Sequence, residues 1–184
     1  MIITLTGASG AGKTTIANCL LDRGPGFKRV VSYTTRKPRE TDPLGEYAYI
    51  SYSEFMKIDM SGGFLWSVHA HGNIYGTAQK SVDEALNDGA VYVMILVSQG
   101  LVALRSYADS VSKLNRVISF YVISPPPDIL RERLICRGDK DVEQRVEECL
   151  NWDKLAQGQK EIPYILVNND GIINAAVQQV CGCL

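Results

Sequence analysis

No stretch of this 184-residue chain approaches the roughly 18 unbroken apolar residues that a membrane-spanning helix needs. Its N-terminus also lacks the basic stretch, apolar run and small-residue cleavage site of a signal peptide. There is no surplus of basic charge, since nineteen Lys and Arg face twenty Asp and Glu for a formal net charge of -1. That balance excludes the broad positive footprint of a nucleic-acid binder, so attraction for phosphate has to be local. The five cysteines, Cys19, Cys136, Cys149, Cys181 and Cys183, form no C-x-x-C element. A disulfide framework and a zinc ribbon are therefore not indicated; Cys181 and Cys183 read as thiols near a helix end rather than as the start of a metal site. Internal repeats and low-complexity linkers are missing too. The expectation is a cytoplasmic protein with neither a nucleic-acid nor a membrane partner.

What is present is an alternation of short apolar runs and helical periodicities. Residues 2–6 read as a β-branched strand, followed by a glycine-rich turn and a helix on which Ile16, Leu20 and Leu21 recur. A second apolar run over 29–33 predicts another strand. Short alternating pieces at 47–51, 64–70 and 74–75, with a helix over 53–60, predict a small β-rich lobe. Val82, Ala85 and Leu86 mark a helix that ends at Gly89. Runs over 91–97 and 117–123 are the near-continuous apolar strands of a parallel sheet buried on both faces. Helices around Ile129–Leu134, 144–155 and 172–180, a charged break over 137–143 and a strand over 164–167 complete an α/β order.

Gly7-Ala8-Ser9-Gly10-Ala11-Gly12-Lys13-Thr14 satisfies G-x-x-x-x-G-K-[ST] in full. Its glycines let successive N–H groups turn toward one anion, and the following helix adds the positive end of its dipole. This pattern predicts a P-loop phosphate cradle for ATP, formed by residues 8–14 with Thr15. Lys13 would reach the β- and γ-phosphates, and the Thr14 hydroxyl would ligate Mg²⁺.

Further motifs follow in a set order: Ser32-Tyr33-Thr34-Thr35-Arg36-Lys37-Pro38-Arg39, Gly45-Glu46-Tyr47, Gly72-Asn73-Ile74-Tyr75-Gly76-Thr77, Pro125-Pro126, Arg133-Leu134 with Arg137-Gly138, and Val167-Asn168-Asn169-Asp170. With the loop, they make the chain resemble the guanylate kinase family over nearly its whole length. The resemblance implies a P-loop NTPase fold in which a central parallel sheet is flanked by helices. It also implies one domain over 1–184, with a core of 1–31, 78–135 and 150–184, an acceptor-binding lobe over 32–77 and a short lid over 136–149. The implied reaction is phosphorylation of a small monophosphate, a nucleoside or deoxynucleoside monophosphate of the GMP type, by a monomer or homodimer using ATP and Mg²⁺. Ser32, Arg36, Arg39, Tyr47, Trp66, His69, Tyr75 and Thr77 are the expected acceptor contacts. Guanidinium forks such as Arg36 and Arg39 suit a dianionic phosphate, though an R-K-P-R stretch is also an ordinary solvated loop. Lys13, Arg133, Arg137 and Arg145 are the expected catalytic cations; Arg145 has the alternative of simply facing solvent.

The chain departs from the family at three acids. The family's F-L-E-W is here Phe64-Leu65-Trp66-Ser67, with Trp66 at the place of the base-reading glutamate. Ile95 and Val97 occupy the places of two aspartates before Gln99-Gly100. Losing two base-reading carboxylates removes about 3–6 kcal/mol of recognition. The run from Ser67 to Gly72 is similar to that of ribose 1,5-bisphosphate phosphokinases, which gives a second reading of the acceptor. A third is a non-catalytic module that binds a phosphorylated ligand. His69 and His71 stay open between a metal pair, substrate contacts and plain polar residues, and Trp66 between packing and base stacking.

Overall fold

The computed structural model describes residues 1–38, 42, 45–70 and 72–184. At its centre lies β1 (Ile2–Thr6), every residue of which is buried. It is flanked in parallel by β7 (Val91–Ile95) and β8 (Val117–Val122). Adding β2 (Phe27–Arg29) and β9 (Ile165–Val167) gives the order β2-β7-β1-β8-β9, parallel throughout.

Alternation along these strands feeds two cores. Ile3, Leu5, Val93, Phe120 and Val122 pack with Ile16, Ala17 and Leu20 of α1 (Lys13–Leu21) and Ala176, Val177 and Val180 of α7 (Ile173–Cys181). Ile2, Met94 and Val117 pack on the other face with α3 (Gln79–Asn87) and α4 (Ser98–Ser110). Burial on both faces explains why these strands read as continuous apolar runs.

A second sheet has the order β4-β3-β6-β5, from β4 (Tyr47–Tyr49), β3 (Ser32–Thr34), β6 (Asn73–Ala78) and β5 (Phe64–Ala70). Between β4 and β5 runs α2 (Tyr52–Met60), started by a capping box in which the Ser51 hydroxyl accepts from the Glu54 N–H. α2 buries Phe55 against Phe64, with ring centroids 4.4 Å apart.

Two predicted elements are corrected here. The run over 29–33 is not one strand: β2 stays in the parallel sheet, and β3 belongs to the second sheet. The Val30 N–H still donates to the Val93 carbonyl, whereas the Ser32 N–H donates to Glu46. The chain thus changes sheets at Val31, inside an apolar run that shows no break. The predicted strand over 91–97 ends at Ile95, and Val97 serves as N-cap of α4.

α5 (Pro127–Cys136) and α6 (Val142–Gly158) pack together through Leu130, Leu134, Val146 and Cys149 over Ala8. Pro127 starts α5 with its φ already set and no N–H to satisfy. Residues 136–149 are therefore the end of α5, a short turn and the first half of α6. Among the described residues, no helix is long and apolar enough to cross a membrane.

Candidate active site

β1 delivers the chain into the glycine loop at the C-terminal edge of the parallel sheet. Gly7 has φ 147°, and a Cβ there would sit 2.4 Å from the Val122 carbonyl oxygen. Gly12, at φ 97°, is the N-cap of α1 and offers no side-chain cap. The first N–H groups of α1 thus have no partner supplied by a capping side chain, and its first turn carries no acid. An anion satisfies both conditions.

Lys13 folds back over the loop and donates from Nζ to the carbonyls of Gly7 (2.8 Å) and Ala8 (2.7 Å). Its pKa is lowered to about 8, chiefly by burial and in part by Arg137, while Cys149 and Asp153 pull the other way. No carboxylate forms an ion pair with Lys13 among the described residues. An ammonium held this way is stabilised by an incoming polyphosphate. Thr14 and Thr15 lie exposed at the head of α1.

Arg133 and Arg137 stand one helical turn apart, so α5 presents both to the loop. Arg133 Nη1 donates to the Gly10 carbonyl at 3.0 Å, and Arg137 Nη1 to the Ser9 hydroxyl at 3.0 Å. Arg145 joins them indirectly: Asp139, in the turn between the helices, lies 3.5 Å from Arg137 Nε and 3.7 Å from Arg145 Nη1. The loop is braced from below by Asn169, whose Nδ2 donates to the Ala11 carbonyl at 2.5 Å, and by Cys149, whose thiol reaches the Ser9 carbonyl.

The second sheet divides its residues by face. Strand register puts Ser32, Tyr47, Trp66, Tyr75 and Thr77 on one side. The Ser32 and Thr77 hydroxyls lie 3.2 Å apart, and the Tyr47 and Tyr75 rings meet edge-on at 5.9 Å. The Arg36 guanidinium stands over the Tyr47 and Tyr49 rings and pairs with Asp42 at 2.9 Å, which also accepts from the Tyr49 hydroxyl. The hydrogen bond that Arg36 donates to Asp42 raises the Arg36 pKa above its ordinary value.

His69 pairs with Ile74 and points to the opposite face, the side of α2, so the structure does not bring it to the other acceptor candidates. Trp66 shares their face, yet its ring packs against α4, where a Cβ on Gly100 would stand 3.0 Å from it. Packing, rather than an open stacking platform, is what Trp66 provides. Arg39 and His71 lie outside the described residues. Among the described residues no group of three or more His, Cys, Asp and Glu is placed to hold a metal. Asn18, Arg29, Asp42, Glu46 and Asn169 are site-side residues that sequence reasoning missed. Only Glu46 and Asn169 fall inside quoted motifs, and Arg29 carried no signal at all.

A parallel sheet with G-x-x-x-x-G-K-T at the end of its central strand, and arginines from a neighbouring helix pair on that loop, defines the P-loop kinase class. The chain belongs to the guanylate kinase family, whose model matches residues 1–184. It is 32% identical over 170 residues to a guanylate kinase of Methylobacillus flagellatus, covering 91% of this chain and 81% of that one. It is 35% identical over 176 residues to one of Symbiobacterium thermophilum, covering 92% and 78%. The crystal structure of guanylate kinase from Anaplasma phagocytophilum superposes with a TM-score of 0.66 at 21% identity, over 100% of this chain and 83% of that one. At that identity the superposition speaks for the fold.

The loop fits ATP through its buried ammonium and its N–H groups free of side-chain caps. Ile95 and Val97 carry no side-chain oxygen for Mg²⁺; of the sequence-predicted residues, the exposed Thr14 hydroxyl at the head of α1 is the one that would hold it. One consequence can be measured. ATP restores the charge of a lysine that titrates near pH 8, so its binding at pH 8 should take up about half a proton. Calorimetry in two buffers of different ionisation enthalpy reads that number, and the uptake should vanish in Lys13→Met.

Proposed function

We propose that this protein transfers the γ-phosphoryl group of ATP to the phosphate of a nucleoside monophosphate, with GMP or dGMP as acceptor, giving ADP and the nucleoside diphosphate. The observation that carries this reading is a buried Lys13 ammonium inside a glycine loop to which Arg133 and Arg137 are both bonded. Guanylate kinase relatives across more than nine-tenths of the chain support the nucleotide as acceptor.

In this account Arg36, set on its tyrosine pair, takes the acceptor phosphate, and Ser32, Tyr47, Tyr75 and Thr77 form the surface along which the nucleoside lies. An oxygen of the acceptor phosphate forms the new P–O bond as the bridging bond to the β-phosphate breaks. Phosphate is already ionised, so no general base is needed, and positioning and charge do the catalysis. Bound Mg²⁺ would neutralise phosphate charge beside the Thr14 hydroxyl. Lys13 and the α5 arginines stabilise negative charge where it develops. Arg145 acts through Asp139 on Arg137, as a positioning residue.

An ADP-release assay with Mg-ATP and GMP, dGMP, AMP, IMP and ribose 1,5-bisphosphate tests the proposal. Guanine nucleotides should give turnover and the sugar phosphate should not. Turnover with the sugar phosphate alone, or with no acceptor in folded protein that binds ATP, would reject it. Relatives favour neither the sugar-phosphate kinase nor the non-catalytic module.

A further inference from the structure

β8 ends at Val122, and the next N–H, that of Ile123, still donates to the Val167 carbonyl of β9. Ser124 and three prolines follow, Pro125, Pro126 and Pro127, so no backbone N–H is available again until Asp128, inside α5. The Ser124 N–H is thus the last backbone donor that can fix the chain before α5 begins. Its hydroxyl adds no anchor, being buried without a hydrogen-bond partner. Asp153 of α6 accepts the Ser124 N–H on Oδ2 at 2.9 Å and the Tyr121 hydroxyl on Oδ1 at 3.0 Å.

Asp153 is 5% exposed, the one formally charged side chain among the described residues that are this deeply buried. It pairs with no cation among the described residues. A carboxylate kept in the interior without an ion pair costs stability that an apolar side chain would not. Its two oxygens instead tie the end of β8 and the root of α5 to α6. One turn earlier on α6, the Cys149 thiol ties the same helix to the Ser9 carbonyl of the glycine loop.

What lies beyond Ser124 is stiff. Pro126 sits at φ -46° and ψ 146°, close to polyproline geometry, and its carbonyl accepts the Leu130 N–H, so the proline arm runs directly into α5. The helix continues for ten residues, about 15 Å. Its far half carries Arg133, and Arg137 caps its end. A tilt of about 4° at the root would move that end by about 1 Å. A misplacement of about that size can lower a rate about 10²-fold.

We infer that Asp153 is a positioning residue of the transfer step: it anchors the root of α5 and so fixes where Arg133 and Arg137 meet the glycine loop. The inference rests on the proposed phosphoryl transfer, and Asp153 acts in it only through the two arginines.

The experiment measures Tm, kcat and KM with Mg-ATP and GMP for Asp153→Ala and Asp153→Asn. Asp153→Ala should lower kcat about 10–100-fold, with the KM for GMP within about twofold of wild type. Asp153→Asn keeps an acceptor oxygen for the Ser124 N–H and an amide for the Tyr121 hydroxyl, so its kcat should stay within about fivefold of wild type. A cycle against the arginines separates positioning from bulk structure. With Arg133 and Arg137 both changed to Met, adding Asp153→Ala should lower kcat by less than about threefold. A merely structural role gives the full loss in both backgrounds, and that result overturns the inference. A wild-type kcat in Asp153→Ala overturns it, and so do equal losses in the Ala and Asn variants, because hydrogen bonds rather than charge make the anchor. If Asp153→Ala fails to fold, Pro126→Gly loosens the same arm at an exposed position. There a kcat lower by about threefold or more with unchanged KM for GMP supports the anchor, and a wild-type kcat overturns it. A wild type that phosphorylates no nucleoside monophosphate rejects the proposed function itself; normal GMP turnover beside any contrary result rejects only the anchor.

Discussion

Replacing Lys13 with Ala should lower kcat about 10²–10³-fold while leaving the KM for the acceptor close to wild type and the thermal stability at or above it. The expected fall follows from the proposed role of Lys13, whose ammonium is held over the glycine loop by two loop-carbonyl bonds and would meet the transferring phosphoryl group there. Stability holds for a separate reason. Burial makes the ammonium costly in the unliganded fold, which is why its pKa falls to about 8. A base whose folded pKa lies below its unfolded value binds fewer protons when folded. Stability therefore rises with pH between about 8 and 10.5, and below that window the charged lysine is a burden. ATP removes the burden by binding, so ligand stabilisation should be larger at pH 7 than at pH 9.5. Stopped turnover with normal acceptor affinity and a Tm at or above wild type form the expected signature. A broad loss of stability would instead make Lys13 a structural residue.

Gly7→Ala should damage both fold and site. The new Cβ would lie 2.4 Å from the Val122 carbonyl oxygen, at a φ of 147° that an L side chain rarely adopts. The obstacle is strand backbone, which cannot rotate out of the way as a side chain could. A cost of about 2–3 kcal/mol is expected, or a Tm lower by about 4–12 °C for a chain of this size. The loop would shift off β8 as well, so ATP affinity should fall together with Tm. By contrast, alanine at Gly26 or Gly89 meets nothing within 4 Å and has no left-handed φ to satisfy, so it serves as the control. If Gly7→Ala matches those controls, the close approach of loop to β8 is not what holds the cradle.

Much of this was legible in order along the chain. The loop is contiguous, its strand and helix flank it, and its motif dictates backbone shape. The strands over 91–95 and 117–122 declared themselves because burial on both faces removes polar alternation. Arg133 and Arg137 are one turn apart on a predicted helix, so their common direction followed from spacing. What stayed hidden depends on pairing between distant segments. Nothing in Arg29-Val30-Val31-Ser32 announces that the chain leaves one sheet for another, since both are satisfied by β-branched residues. The face of His69 depends on its register against Ile74 and on the irregularity between Phe64 and Trp66. Between packing and base stacking for Trp66, the choice falls to packing because Gly100, far along the chain, makes room for its ring on α4. Local motifs revealed the donor half of the site; the acceptor half is written in strand register.

The most direct measurement is ³¹P NMR of the purified protein with Mg-ATP and GMP. Resonances of ADP and GDP should grow at equal rates, with no inorganic phosphate, and both should be suppressed in Lys13→Ala. ADP appearing with inorganic phosphate and without GDP would mean transfer to water, and would contradict a kinase that joins this loop to a nucleotide acceptor.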